Sequence, residues 1–102
     1  MIVREWRAYA SEENAAAYRR HFSDAVLPQL RVVDGFVAAT LLSRPIDGEI
    51  ELVVLTRWRS VESIRGFAGP EIDKAVVEPQ AAAALSSCSD LTVQHYEVEQ
   101  VE

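Results

Sequence analysis

The sequence of 102 residues is poor in residue types on which several classes of protein depend. It has one cysteine, Cys88, which excludes an internal disulfide and any motif that needs paired cysteines. Its two histidines, His21 and His95, lie far apart in the sequence without a cluster of acidic residues beside them. Because a zinc centre needs about three or four converging ligands, we expect no metal site.

Positive charge is also scarce, and it is spread along the chain. Ten lysine and arginine residues stand against 16 aspartate and glutamate residues, which gives a formal net charge of −6. Phosphate backbones and acidic membranes are bound by clusters of basic side chains, which this sequence lacks. No apolar run approaches the roughly 20 residues that cross a bilayer, and the charge at Arg4 does not match a signal peptide. We therefore expect a cytoplasmic protein without a nucleic-acid or membrane partner.

The rest of the composition is that of a globular domain. Hydrophobic residues make up 49% of the chain and charged residues 25%. Because a domain takes about 100–150 residues, residues 1–102 are expected to form a single domain. A chain of this size has a thin core of its own, so assembly into an oligomer would stabilise it.

Hydrophobic patterning and turn residues predict four strands and three helices. Asp47-Gly48 is typical of a two-residue hairpin turn, because glycine tolerates the positive φ required there. Pro28 is expected to disturb or end the first helix, and Ser60 to cap the second, which Gly69 limits. The predicted strands cover residues 2–9, 36–44, 49–58 and 91–98, and the first and third helices cover residues 12–27 and 79–85.

This order of elements predicts an α+β fold of the ferredoxin-like βαββαβ type, with a four-stranded antiparallel sheet and the helices on one face. The second and third predicted strands, 36–44 and 49–58, place apolar side chains on both of their faces. An apolar second face of the sheet is best explained by burial against another subunit. The pattern therefore predicts a homodimer.

The run of residues 53–67, VVLTRWRSVESIRGF, resembles the strand-to-helix segment of the antibiotic biosynthesis monooxygenase-like family. Asp34-Gly35-Phe36 and the closing segment 95–98 (HYEV) fit the same pattern, so the resemblance extends from residue 2 to about residue 98. It implies a dimeric α+β barrel, in which two sheets pack face to face and each subunit holds a cavity between sheet and helices.

The resemblance implies a cofactor-independent monooxygenase that acts on a small planar aromatic or quinol-type compound. A non-enzymatic small-molecule-binding or regulatory dimer of the same fold is the alternative, followed by a lactone isomerase and a haem-degrading enzyme. Haem-degrading members carry an asparagine on the first strand, and a tryptophan and a haem-ligating histidine on the second helix. The first strand here has no asparagine, and Phe67 stands where that tryptophan would fall. We expect no cofactor.

Two histidines are the candidate catalytic residues, because imidazole can accept a phenol proton near neutral pH. His21 falls at the edge of the apolar stripe of the first helix and could instead be a boundary residue. His95 lies on the last strand and points either into the cavity or into the dimer interface.

Six further residues are candidates for binding substrate. An arginine beside an aromatic side chain can hold a phenolate, although Arg4 could equally pair with Glu51 or Glu97 across the sheet. The aromatic candidates could stack on a planar ring or simply pack in the core. The six candidates are Arg4, Trp6, Tyr18, Trp58, Phe67 and Tyr96.

Overall fold

A computed structural model describes residues 1–86 and 92–102 of the chain. Cys88 and the start of the predicted last strand lie outside the described residues. The strands are β1 (Ile2–Ala10), β2 (Phe36–Ile46), β3 (Glu49–Trp58) and β4 (Gln94–Glu97). The helices are α1 (Glu12–His21), a π-helical segment (Phe22–Val26), α2 (Leu27–Arg31), α3 (Val61–Ala68) and α4 (Pro79–Ala82).

The strands form one antiparallel sheet in the order β2-β3-β1-β4. This arrangement confirms the predicted ferredoxin-like α+β fold. The hairpin between β2 and β3 turns at Asp47 and Gly48, whose φ angles of 47° and 80° suit a two-residue turn that matches strand twist. Asp-Gly therefore acts here as the sequence predicted.

The first helical stretch extends beyond its predicted end. Ser11 caps it by accepting a hydrogen bond of 3.1 Å from the backbone N–H of Asn14. The helix is disturbed near Pro28, as predicted, by a π-helical segment at Phe22–Val26, but its predicted end at residue 27 is wrong, because helical structure continues to Arg31. In the π-helical segment the N–H of Leu27 donates to the carbonyl of Phe22, five residues back. This wider turn, placed just before Pro28, lets the helix pass a residue that has no N–H to donate.

The later elements are shorter than predicted. Ser60 caps α3, as expected, by accepting from the N–H of Ser63, and the helix ends before Gly69 at a φ of 79°. Helix α4 covers only Pro79–Ala82 of the predicted 79–85, and β4 covers Gln94–Glu97 of the predicted 91–98. No helix in the described ranges combines the length and apolar character required to span a membrane.

The helices cover one face of the sheet and bury its side chains. Trp58 is fully buried there, with Phe36 at 5.5 Å and Phe67 at 5.8 Å between ring centroids. A second cluster gathers around Trp6, Tyr18 and the small residues of β1. Between these two clusters the packing leaves a cavity.

The other face of the sheet, which we call the open face, is mixed in character. Leu42 and Tyr96 are exposed on it, at 46% and 52%. Charged residues share the same face, where Glu51 contacts Arg44 and Arg7. The open face is therefore less apolar than the alternation in the second and third predicted strands suggested, and the homodimer stays a prediction.

Candidate functional site

The cavity lies between the helix-covered face of the sheet and the helices. Its inner lobe encloses about 50 Å³. Side chains from β1, β3, the first helical stretch, α3 and the segments on either side of α4 converge on it. They are Arg4, Trp6, Tyr18, Val26, Leu30, Val54, Thr56, Phe67, Val76 and Val93.

An outer lobe of about 20 Å³ continues from the inner one. The two lobes share five residues, Trp6, Tyr18, Val26, Phe67 and Val76, so that they form one cavity with a largely apolar middle. The outer lobe adds a polar group of residues, His21, Gln29 and Glu78. Polar side chains thus stand at both ends.

Aromatic rings form the middle of the cavity. The rings of Trp6 and Tyr18 lie 5.6 Å apart between centroids and are tilted by 45°, and both side chains are buried. Phe67 reaches the same space from α3. Burial raises the pKa of Tyr18, so its hydroxyl stays protonated and able to donate a hydrogen bond.

Arg4 is the polar residue of the inner end, and it is only 4% exposed. Its guanidinium donates to the carbonyl of Ile72, to the carbonyl of Lys74 at 2.8 Å, and to Nε2 of His95 at 3.0 Å. Burial lowers the pKa of Arg4 to about 10, and the negative charge of Asp73 opposes part of this effect. The side chain therefore remains a cation at neutral pH.

The charge of Arg4 has no ion-pair partner among residues 1–86 and 92–102. Its three contacts are with two carbonyl groups and an imidazole, and a guanidinium has more N–H donors than these contacts use. A buried cation is costly unless a charge or strong dipoles compensate it. The inner lobe is therefore a place where an anion would be stabilised.

His95 lies behind Arg4 and outside the residues that line the cavity. The two residues are partners in the β1–β4 ladder, which places their side chains side by side on the helix-covered face. Burial, with the charge of Arg4, lowers the pKa of His95, although Asp73 favours the protonated form. Since Nε2 accepts from Arg4, the ring proton is assigned to Nδ1, which lies 3.5 Å from Oδ1 of Asp73. His95 thus orients Arg4.

Thr56 is a cavity residue that the sequence analysis did not single out. It is the partner of Arg4 in the β1–β3 ladder and lines the inner lobe. Nε1 of Trp58 donates to Oγ1 of Thr56 at 2.8 Å. Because that oxygen already accepts from the indole, the hydroxyl proton of Thr56 is free to turn toward the cavity.

Residues 69–78, which we call the strap, cover the cavity between α3 and α4. The strap is held at one end by the bonds from Arg4 to its carbonyl groups and at the other by a bond from Nε2 of Gln29 to Oε1 of Glu78, at 2.6 Å. Between these two points Val76 closes both lobes while remaining 45% exposed. The carbonyl of Asp73 in the strap also accepts a hydrogen bond of 2.9 Å from the N–H of Val93, so these three attachments limit the movement of the strap.

The structure brings most, but not all, of the predicted site residues together. Arg4, Trp6, Tyr18 and Phe67 line the inner lobe, and His21 lines the outer one. The other three candidates stand elsewhere. His95 contacts Arg4, Trp58 reaches the cavity only through Thr56, and Tyr96 lies on the open face as the ladder partner of Val3. Because neighbouring residues of a strand point to opposite faces, His95 and Tyr96 cannot both serve one cavity.

The described residues offer few ligands for a metal ion or a haem iron. No three histidine, cysteine, aspartate or glutamate side chains within residues 1–86 and 92–102 converge on one point. Among the described residues that line the cavity, His21 and Tyr18 are of types that ligate haem iron, but burial raises the pKa of Tyr18 and disfavours the phenolate that such ligation needs, and Nε2 of His95 is engaged by Arg4. His21 itself packs beside Tyr18, at 6.0 Å between ring centroids. These residues do not fit a haem site.

Solved structures share this fold over nearly their whole length. The haem degrader MhuD from Mycobacterium tuberculosis, solved with two haems bound in its active site, is 20% identical, with a TM-score of 0.66 over 100% of this chain and 99% of that chain. A candidate antibiotic biosynthesis monooxygenase from Deinococcus radiodurans is 18% identical, with a TM-score of 0.67 over 100% and 96%. One from Bacillus cereus is 17% identical, with a TM-score of 0.68 over 100% and 96%.

At these identities the likeness to solved structures establishes the fold alone, and no curated protein sequence matches the chain. The antibiotic biosynthesis monooxygenase family matches residues 1–78, from the start of β1 to the last residue of the strap. That range holds every residue of the described cavity except those contributed from α4 onward. As the resemblance in the sequence implied, the protein belongs to the antibiotic biosynthesis monooxygenase family.

Proposed function

We propose that the cavity binds a small planar hydroxyaromatic compound as its phenolate and that the protein oxidises it with O2 as a cofactor-independent monooxygenase. One observation carries the proposal. Arg4 is a nearly fully buried cation without a carboxylate contact in the described residues, and it stands at the end of an aromatic cavity. An anionic oxygen on a flat apolar ring complements both features.

The inner lobe supports binding of the phenolate rather than of the neutral phenol. A positive charge within a few ångströms lowers the pKa of a phenol because it stabilises the ionised form. Unused N–H groups of Arg4 and the hydroxyl of Thr56 can donate to the phenolate oxygen. The rings of Trp6 and Phe67 offer the ring a dry surface.

The chemistry then needs no group beyond the substrate and O2. The ionised ring is electron-rich at the carbon para to its oxygen, and that carbon forms a bond to O2. The O–O bond breaks as the same carbon loses its hydrogen, and one oxygen atom leaves as water. One 1-naphthol and one O2 thus give one 1,4-naphthoquinone and one water. In this scheme His21 accepts the phenol proton at the outer lobe as the ligand enters.

Ligand entry requires movement of the strap. The inner lobe of about 50 Å³ is smaller than a bicyclic aromatic compound. Val76 closes both lobes and is already partly exposed, so displacement of the strap at this residue costs little buried surface. The same closure would keep water from the ionised ring after binding.

We also propose that two copies of the chain associate through the open face. Leu42 and Tyr96 are exposed there beside the half-buried Val53 and Leu55. Apolar side chains grouped on one sheet face favour contact with a second sheet. Sedimentation of the wild type and of Leu42→Asp, with Val32→Asp as an exposed control directly after α2, tests this arrangement.

A binding protein without turnover is the second candidate. It is favoured by the position of His95, whose Nε2 is occupied by Arg4 and which therefore does not reach the inner lobe as a base. A protein of this kind would hold the phenolate at Arg4 and leave the ring unchanged. Binding and oxygen consumption must therefore be measured separately.

The test uses 1-naphthol as the probe. We expect binding that is weakened about a hundredfold by Arg4→Met, and consumption of O2 with formation of 1,4-naphthoquinone by the wild type. Arg65→Met, which removes an exposed arginine of α3 paired with Glu62, is the matched control and should match the wild type. Binding without oxygen uptake would support the second candidate. Equal binding by wild type and Arg4→Met would overturn the proposal, and a haem absorption change dependent on His21 would replace it.

A further inference from the structure

We infer that the ligand of this cavity has two polar ends, an acidic oxygen that faces Arg4 and a hydrogen-bond donor that faces Glu78. The inference rests on the proposed function, and it adds the direction in which the ligand lies and the chemical group at its far end. It comes from the outer lobe, for which the proposed reaction specifies only that His21 accepts the phenol proton as the ligand enters.

The cavity is polarised along its length. Its inner end carries the guanidinium of Arg4, and its outer end carries the carboxylate of Glu78 together with His21 and Gln29. The residues that both lobes share are aromatic or aliphatic. A ligand that spans the two lobes therefore meets a cation at one end, a flat apolar passage, and an anion at the other end.

Glu78 can accept a further hydrogen bond. Nε2 of Gln29 donates to its Oε1 at 2.6 Å, and an ionised carboxylate has acceptor capacity beyond a single such contact. The residue is partly buried and lines the outer lobe, so a hydroxyl group of a ligand could reach its carboxylate from the cavity. The nearby imidazole of His21 is a second acceptor on the same lobe.

The same charge excludes the opposite orientation. A ligand that turned its acidic oxygen outward would place an anion beside Glu78 and leave the charge of Arg4 without compensation. Like charges at close range repel each other. The cavity therefore selects aromatic compounds with an acidic oxygen at one end and a donor at the other, and it rejects those with an anion at both ends.

Three naphthalenes that share one ring system provide the probes. 1-Naphthol has the acidic oxygen alone, 1,5-dihydroxynaphthalene adds a donor on the far ring, and naphthalene-1,5-dicarboxylic acid places an anion at both ends. In the two phenols the carbon para to the phenol oxygen remains unsubstituted, as the proposed oxidation requires. Binding is measured by calorimetry under nitrogen, so that no oxidation takes place.

We expect the wild type to bind 1,5-dihydroxynaphthalene about tenfold more tightly than 1-naphthol, and naphthalene-1,5-dicarboxylic acid about tenfold more weakly. Glu78→Met should bring all three affinities within about twofold of one another, because neither the acceptor nor the repelling charge remains. Glu71→Met, which removes another strap carboxylate that is exposed and paired with Lys74, should keep the wild-type order.

A second variant keeps the hydrogen bond between Gln29 and residue 78, so that the strap stays attached at this end. Glu78→Gln keeps an acceptor for Gln29 but removes the charge, so it should relieve the penalty on the dicarboxylic acid while retaining part of the preference for the dihydroxy compound. If 1-naphthol binds in an Arg4-dependent way but the three probes bind equally to the wild type, the inference fails and the proposed function stands. If no probe binds, both fail.

Discussion

Two charged side chains of this protein are equally buried, one on each face of the sheet, and they differ in how their charge is compensated. Arg4, on the helix-covered face, and Glu51, on the open face, are each 4% exposed. Glu51 is held by Arg44 at 2.7 Å, with Arg7 at 3.6 Å. Arg4 has only carbonyl groups and His95 as contacts in the described chain.

The difference distinguishes a charge that stabilises the fold from a charge that is available to bind a ligand. The charge of Glu51 is compensated inside the folded chain. A hydrogen bond from Arg44, together with attraction to Arg7, lowers the pKa of its carboxyl group, although burial opposes this shift. Arg4 shows the opposite condition, since burial lowers its pKa to about 10. A group whose charged form the fold disfavours is the one that gains most when a ligand of opposite charge arrives.

The largest expected effect is that Arg4→Met and Glu51→Met change different properties, the first mainly ligand binding and the second mainly stability. Arg4→Met should weaken binding of 1-naphthol about a hundredfold and lower the melting temperature only moderately, because the loss of its bonds to the carbonyl groups of Ile72 and Lys74 is partly offset by removal of an uncompensated buried charge. Glu51→Met should lower the melting temperature and leave binding unchanged, because it abandons Arg44 and Arg7 on a face away from the cavity. Calorimetry and thermal unfolding of both variants measure the two effects.

Arg4→Lys sharpens the same comparison. Lysine keeps the charge but lacks the planar fork that bonds two strap carbonyl groups and His95 together. Its binding should therefore fall between those of wild type and Arg4→Met. If Arg4→Met bound naphthol normally and melted far below the wild type, Arg4 would be a structural residue like Glu51.

The sequence predicted much of the fold because the determinants of its elements are local. Asp47-Gly48 specifies a hairpin, Ser11 and Ser60 specify helix starts, and alternation marks the strands. The passage of the helix beyond Pro28 was not predictable in this way. It depends on a π-helical turn that no residue type signals on its own.

The site was predictable where one element supplies the residues. Arg4 and Trp6 are two positions apart on one strand, so they share a face, and Tyr18 follows from the apolar stripe of α1. Thr56 and the orientation of His95 were not predictable, because both depend on the register of β1 with β3 and β4. Those strands are not joined by a short turn, which in a hairpin would set the register. The strap has no periodicity that would have signalled its position.

A smaller effect on stability is expected when the pH is lowered, and it arises from Glu51 on the open face. Because the folded-state pKa of Glu51 lies below its ordinary 4.5, its contribution to stability is complete above that value and is lost as the pH falls further. Thermal unfolding of the wild type between about pH 6 and pH 3 should therefore show a loss that Glu51→Gln reduces. Glu62→Gln removes an exposed carboxylate paired with Arg65 and should follow the wild type. A wild-type loss unchanged in Glu51→Gln would contradict this account.

The smallest effect on stability is expected from His95 on the helix-covered face, and it occurs at a higher pH than the effect of Glu51. The folded-state pKa of His95 lies below its ordinary 6.5, so the unfolded chain takes up the proton more readily. Stability is then complete above about pH 6.5 and declines as the pH falls toward the folded-state value. Urea unfolding at about pH 7.5 and pH 5.5 should show this decline in the wild type and a weaker one in His95→Gln. Asp73→Asn should enlarge the decline, because the carboxylate of Asp73 favours the protonated imidazole. A decline of the same size in His95→Gln would mean that another group on this face takes up the proton, and the contact that orients Arg4 would then carry no pH dependence.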